Sequence, residues 1–427
     1  MHLMESMLII FILVFLMIFA IEYYYRRTVL NTVCIAFAPY VAIVFINNVF
    51  CSKMGYYIIN DTVIIYLIIT MLLTMLGALL CNLFYANRKH VYVFKSENNN
   101  FDENTDIVEQ NIRLIKIWIC FCCLLRGGQI ISILSRYGLA MISANDFEEF
   151  GFSGLPSHLF LTIYPMAVIL FYYGLKKKDK AAFIIYSIGL IIASASFIKY
   201  HAIFYVMITY VYAVVKDRSM AKKLLVFIAG MIFALFTGNY IVSFLIRGFS
   251  GYTTNSLMIK LWDYIGGSII NGNVCMELYG REIYSASDFL KATFLPFFNT
   301  VLGKILGTQI DINTSVIGFR TLNIYHSTSN VYGMIFTPIL TNSLFFYVSY
   351  CLIYGSIVNI LVRKILFRAS DKNLLFYTTA ITIIIMTFFA NYFGLSAIWE
   401  LLLWSYCIPR LFTKKHIRLV FGKKRIN

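Results

Sequence analysis

The sequence predicts an all-α fold: a polytopic transmembrane helix bundle of about eleven crossings with one long, partly helical extracytoplasmic loop. Three observations predict it. Apolar residues make up 60% of the chain and charged residues 13%, with a mean hydropathy of +0.76, too little charged surface for a soluble fold of this length. The apolar residues come in blocks long enough to cross about 30 Å of hydrocarbon at about 1.5 Å per residue. Most of the basic residues fall in every second connection between those blocks, and so on one side of the membrane, as the positive-inside rule requires.

The first apolar block, about Ser6 to Tyr24, has an acid and no Lys or Arg before it, and its cations Arg26 and Arg27 come after it. It reads as a retained helix with its N-terminus outside rather than a cleaved signal peptide. The later crossings are expected at about 29–49, 62–84, 114–134, 158–175, 181–197, 200–215, 224–243, 343–362, 374–393 and 396–412. This order puts Arg26 and Arg27, Arg88, Lys89, Lys95 and Arg113, and Lys176, Lys177, Lys178 and Lys180 on the inner side. Lys216, Arg218, Lys222 and Lys223 follow there, then Arg363, Lys364, Arg368 and Lys372. A basic tail over 413–427, from Lys414 to Arg425, ends inside beside anionic lipid.

Two polar segments interrupt the short connections. The segment 86–113 holds Glu97, Asn98, Asn99, Asn100, Asp102 and Glu103 and reads as a hydrophilic cytoplasmic loop. The segment 244–329 reads as the large extracytoplasmic loop; at that length it is expected to hold structure of its own and the function. Within it, Ser285-x-x-Asp288 marks a helix start, with Phe289, Leu290, Phe294, Phe297 and Val301 fitting a helix along the membrane surface.

The net charge of +16 does not indicate nucleic-acid binding, because the cations form short clusters between apolar blocks rather than one polar surface interleaved with aromatics. The nine cysteines give no zinc or disulfide spacing and read as small buried apolar residues; only Cys51 and Cys275 fall on the outer side, where a bridge is the alternative. No G-x-x-x-x-G-K-[ST] loop supports nucleotide hydrolysis, and no repeat divides the chain into two similar halves. Asp146, Glu148 and Glu149 form a short acidic cluster that reads as a solvated turn more readily than as a metal site, so no metal is expected.

Arg126 is the one basic residue well inside a crossing, so it is expected to face the bundle interior with a partner, for which Glu400 lies at a compatible depth. Arg136, Lys199, Arg247, Lys260, Arg281, Lys291, Lys304 and Arg320 are the outer cations, exceptions to the inside bias. Guanidinium forks suit phosphate oxygens, and an outer basic cavity at the bilayer suits a lipid diphosphate. His326, where the long loop returns to the membrane, is of the residue type that serves as general base on a sugar hydroxyl.

With ten to twelve helices and a long outer loop late in the chain, the sequence resembles the oligosaccharide repeat unit polymerases, the Wzy-type O-antigen polymerase family. Three stretches carry the resemblance: Ser194-Ala-Ser196-Phe-Ile-Lys199, where the family often ends a small-residue turn in arginine; Asp263-Tyr264-Ile-Gly266-Gly267-Ser268; and Ser329-Asn330-Val331-Tyr332. Lysine at 199 keeps the charge and loses the bidentate fork. The resemblance implies a glycosyltransferase of the bacterial cytoplasmic membrane, with its C-terminus cytoplasmic. It would move a growing glycan from polyprenyl diphosphate to a hydroxyl of the next lipid-linked repeat unit, using no cofactor. Arg247, Arg281, Arg320, Lys199 and Arg126 are then the candidates for the diphosphate, and His326 for the base, with Asp263 or Glu277 as alternatives. Implied partners are the lipid-linked oligosaccharides, the bilayer, and a chain-length regulator and flippase of the same pathway. A lipid-linked oligosaccharide flippase, an O-antigen ligase-like enzyme and a noncatalytic scaffold are the competing readings.

Overall fold

The computed structural model describes residues 2–86, 109–138, 154–195, 199–247, 254–279, 285–296, 307, 320–329, 331, 333–341, 343–367 and 371–412. Most of the segment 86–113, the acidic cluster at Asp146, Glu148 and Glu149, Arg281, Lys304, Phe297, Val301 and the tail 413–427 lie outside them.

The helices are α1 (His2–Arg26), α2 (Thr32–Val49), α3 (Asp61–Ala86), α4 (Glu109–Tyr137), α5 (Leu155–Leu161), α6 (Ile163–Lys177), α7 (Lys180–Ala195), α8 (Lys199–Lys216) and α9 (Ala221–Arg247). Next come α10 (Thr254–Ile265), α11 (Gly267–Tyr279) and α12 (Ala286–Phe294), followed by an antiparallel ribbon of β1 (Arg320–Thr321) and β2 (Thr328–Ser329). Then follow α13 (Phe336–Ile339), α14 (Leu344–Phe367), α15 (Asp371–Met386) and α16 (Ser396–Leu411).

Among the described residues, 6 stretches are long and apolar enough to cross a membrane: Ser6–Arg26, Thr32–Val49, Asp61–Phe84, Asn111–Arg136, Leu155–Lys177 and Leu344–Leu366. Several other expected crossings are helical but short. The 16 residues of α7, of α15 and of α16 reach about 24 Å at the helical rise. Two loop boundaries also move. α4 begins at Glu109, inside the segment expected to be a loop, because Asn111, Ile112, Ile115 and Ile119 form one buried face. The segment 244–329 begins with the last turn of α9 and contains, among its described residues, three helices and the ribbon.

The chain forms two compact units. One comprises residues 1–93, 258–367 and 383–398; the other comprises 94–257, 368–382 and 399–427.

In the first unit α3 and α14 pack along a seam of small residues. A Cβ on Gly77 would overlap the Leu352 backbone, and one on Gly355 would overlap the Thr74 carbonyl, so glycine at both positions is what lets the backbones meet. Ser356 Oγ donates to the Gly77 carbonyl at 3.0 Å, and Thr70 and Tyr347 share a hydroxyl contact of 2.6 Å. α1 adds Leu8, Phe11 and Ile18 to this core and leaves Leu13, Met17 and Ile21 exposed, as lipid-facing residues are. α11 is enclosed on all sides, with every residue from Gly266 to Asn273 buried. A segment expected in an outer loop is thus core. Its small side chains fit close neighbours (the Phe336 ring lies against Gly272), and its polar ones are satisfied: Ser268 donates to the Phe388 carbonyl at 2.9 Å and Asn271 to the Val331 carbonyl at 2.9 Å. In α12, Phe289 is buried against Phe346 and Tyr350, while Leu290 and Phe294 are exposed.

In the second unit α6 is buried from Ile163 through Phe171. The break between α5 and α6 at Thr162 follows from Pro165, which has no N–H to offer the Leu161 carbonyl. Trp118 Nε1 fills the break by donating to Thr162 Oγ1 at 2.8 Å. Tyr164, Tyr186, Tyr205 and Phe171 pack with ring centroids 4.7–5.5 Å apart, and Gly189 makes room for the Tyr205 hydroxyl.

Candidate functional site

At the C-terminal end of α2 two adjacent asparagines organise the connection to α3. Asn47 donates to the Tyr57 carbonyl at 2.9 Å and accepts from Trp262 Nε1 at 3.1 Å. Asn48 closes a two-way pair with Ile59, accepting its N–H at 2.9 Å and donating to its carbonyl at 3.1 Å. The connection then lies edge-on against the ribbon turn. Tyr56 bridges Asn323, the Tyr57 N–H reaches the Leu322 carbonyl at 3.1 Å, and the Ile324 N–H reaches the Gly55 carbonyl at 3.0 Å. Gly55 sits at φ 89, in the left-handed region, and Ile324 occupies the space a Cβ would need.

This arrangement buries Tyr56, 3% exposed, with its hydroxyl 2.6 Å from Asp263 Oδ1 and 2.8 Å from the Ile259 carbonyl. Burial and the adjacent carboxylate push the Tyr56 phenol well above its ordinary pKa, so it stays protonated and acts as a donor. Asp263 is only partly buried. Next along, Asn273 accepts the Asn60 N–H at 2.8 Å, and both Asn60 and Asn273 donate to Glu277 Oε1. Glu277 is itself exposed. Arg320 places its guanidinium beside the Cys275 thiol of α11, three residues before the Asn323 that pairs with Tyr56. Asp263, Glu277 and Arg320 therefore belong to one packed assembly, made of the α2–α3 connection, α10, α11 and the ribbon. His326 is on the same ribbon, but exposed on its turn with φ 61.

The second unit holds Arg126, 2% exposed on α4. It donates to Gln129 Oε1 and Ser157 Oγ, each at 2.8 Å, and lies 5.5 Å from the centre of the Phe160 ring. Glu400, expected as its partner, instead faces His158 Nδ1 at 2.7 Å and accepts from Trp404 at 3.1 Å. Tyr164 and His201 share a 2.6 Å contact in the same unit.

Arg247 closes α9 and Lys199 opens α8, with side chains outside the described residues, as is the whole of Arg281. All nine cysteines are free thiols, Cys51 and Cys275 included, so no bridge joins them. Among the described residues no group of His, Cys, Asp and Glu has the makings of a metal site.

Sequence reasoning missed Tyr56, Asn47, Asn60 and Trp262. The usable signal was Asn47-Asn48 at the end of an apolar helix and Asn60-Asp61 at the start of the next, since paired amides beside lipid-length helices require partners. It also missed Gln129, one turn on from Arg126 along α4, and Ser157, whose distance from Arg126 depends on how α5 folds back. Comparison with protein-family models, with curated proteins and with solved structures finds no match, so the site is read from its own chemistry.

Proposed function

We propose that this chain polymerises lipid-linked oligosaccharide repeat units for a bacterial surface polysaccharide at the outer face of the cytoplasmic membrane. The growing glycan passes from polyprenyl diphosphate to a hydroxyl of the next repeat unit. The acceptor oxygen attacks the anomeric carbon, the bond from that carbon to the diphosphate breaks, and the hydroxyl proton passes to a carboxylate. Polyprenyl diphosphate leaves with the bonding electrons. No nucleotide or metal is needed, because the donor bond is already activated.

The observation that carries this reading is the Tyr56–Asp263 pair, a carboxylate with its Oδ2 enclosed and its Oδ1 oriented by a buried phenol, on a partly exposed residue at the end of two lipid-length helices. An oriented carboxylate within reach of a hydroxyl is what a general base requires. Asp263 takes precedence over His326 and Glu277 for this role, because those two are exposed and His326 sits at a turn tip. Arg320 is a cation of the same assembly and would stabilise charge on the leaving diphosphate.

Electrophoresis of surface glycan from source cells lacking this gene tests the proposal. Glycan reduced to single repeat units supports polymerisation, since export continues without chain growth. Full-length polymer lacking its final attachment would make the chain a ligase. Repeat units trapped on the inner leaflet would make it a flippase, the reading that the buried Arg126 also suits.

A further inference from the structure

At the far end of α3 from the Tyr56–Asp263 pair, three helices of the same unit bring two guanidinium groups to two asparagine side chains. Arg26, the last residue of α1, donates through Nη2 to Asn359 Oδ1 of α14. Arg363, one turn beyond Asn359, donates through Nη1 to Asn82 Oδ1 of α3 at 2.8 Å. Asn359 Nδ2 ties the two together, donating to the same Asn82 oxygen at 2.9 Å and to the Ala78 carbonyl at 3.2 Å. The amides are thereby fixed with their oxygens toward the arginines.

The carboxylate at this cluster is already shared. Glu22 Oε1 lies 3.3 Å from Arg26, while its Oε2 accepts the Val33 N–H at 2.8 Å. The charge on Arg363 opposes that on Arg26. Arg26 Nη1 is buried and has no hydrogen-bond partner among the described residues. A buried guanidinium edge with no acceptor is costly, and a tetrahedral oxyanion supplies acceptors in the geometry that edge prefers.

The surroundings identify what carries the oxyanion. The outer face of α1 is apolar and exposed through Leu13, Met17 and Ile21, and it ends in exposed Tyr24 and Tyr25. Leu83 and Phe84, beside Asn82 on α3, are exposed as well. Apolar helix faces ending in tyrosine and arginine mark the headgroup level of a bilayer. We infer that Arg26, held with Arg363 by Asn82 and Asn359, forms a phosphate site for the headgroup of an anionic glycerophospholipid. The site lies about 33 Å from the Tyr56–Asp263 end, the length of α3 between Asn60 and Asn82 at the helical rise, and it stands whether or not the chain polymerises glycans.

The test uses full-length protein, delipidated in neutral detergent. Thermal unfolding is followed against phosphatidylglycerol, phosphatidylcholine and inorganic phosphate, and retained lipid is counted by native mass spectrometry. Phosphatidylglycerol is expected to raise the melting temperature and to remain bound. Arg26→Gln and Arg363→Gln should each weaken it by about tenfold, the loss of one charge-assisted hydrogen bond. Arg27→Gln, which removes the exposed neighbouring cation, should leave binding intact. An equal response to inorganic phosphate alone would keep the phosphate chemistry and overturn the lipid as its source. No response to any of the three, an unchanged response in both glutamine variants, or equal loss in Arg27→Gln would overturn the site. Should Arg26→Gln fail to fold because Glu22 loses its cation, Arg363→Gln decides alone.

Discussion

At the scale of single residues, the account rests on Asp263 held by Tyr56. Replacing the carboxylate by Asp263→Asn keeps its size and removes the base, so transfer should fall by about 10²–10⁴-fold with protein level unchanged. The check is the length distribution of surface glycan in cells expressing the variant. Tyr56→Phe keeps the buried ring and removes one donor, so the loss should be smaller, about tenfold. The charged residues themselves were legible in the sequence; their pairings were not. Asp263 was singled out as an alternative to His326, and the proposal reverses the order because one is oriented by a buried phenol while the other is on an exposed turn. Arg126 was legible because a cation inside an apolar block is conspicuous. Its contacts with Ser157 and Gln129, and the pairing of Glu400 with His158, depend on local geometry that depth along a helix does not specify.

Helices and their junctions carry the next set of expectations. Gly355 on α14 faces the Thr74 backbone, and its substitution by leucine forces apart a seam that no rotamer change relieves. The cost should exceed the usual overpacking range of about 1–3 kcal/mol, and size-exclusion chromatography of a fluorescent fusion should show loss of the monodisperse peak. Asp179, at the turn between α6 and α7, accepts the Ala181 and Ala182 N–H groups and a 2.6 Å hydrogen bond from Lys116. The lysine bond is the main cause holding its pKa below the ordinary carboxylate value. A depressed carboxylate stabilises the fold above its unfolded pKa and loses that contribution as pH falls through the folded one. Thermal unfolding of wild type should therefore weaken in acid, below about pH 4, more steeply than that of Asp179→Asn, which has no such proton to gain. The apolar blocks placed most helices within a turn or two, because length and hydropathy decide them. α11 was illegible as core. Its glycines, serine and asparagines look like a loop, and only the neighbours that fill the glycine spaces and accept from the amides make it a buried helix.

Across the whole molecule, the apolar composition and the alternation of cations made an all-α membrane bundle legible from sequence. The structure bears this out as 6 helices of crossing length and apolarity among the described residues, with further apolar helices too short to count by that measure. The long segment late in the chain was expected to carry the function. It supplies Asp263, Glu277 and Arg320 to one assembly, although part of that segment is core. The two proposals, polymer assembly and lipid binding, are separable at this scale, since the proposed phosphate site sits at the opposite end of α3. Arg26→Gln should leave the length distribution of glycan per folded molecule unchanged, which a glycan gel normalised to protein level would check.

The most direct measurement is reconstitution. Full-length protein in phosphatidylglycerol-containing vesicles is given the lipid-linked repeat unit isolated from deletion cells, and products are resolved by length. The account predicts a ladder of repeat units from wild type and single units alone from equally folded Asp263→Asn. A wild-type reaction that leaves the repeat unit unextended, or an Asp263→Asn ladder as long as the wild-type one, would contradict it.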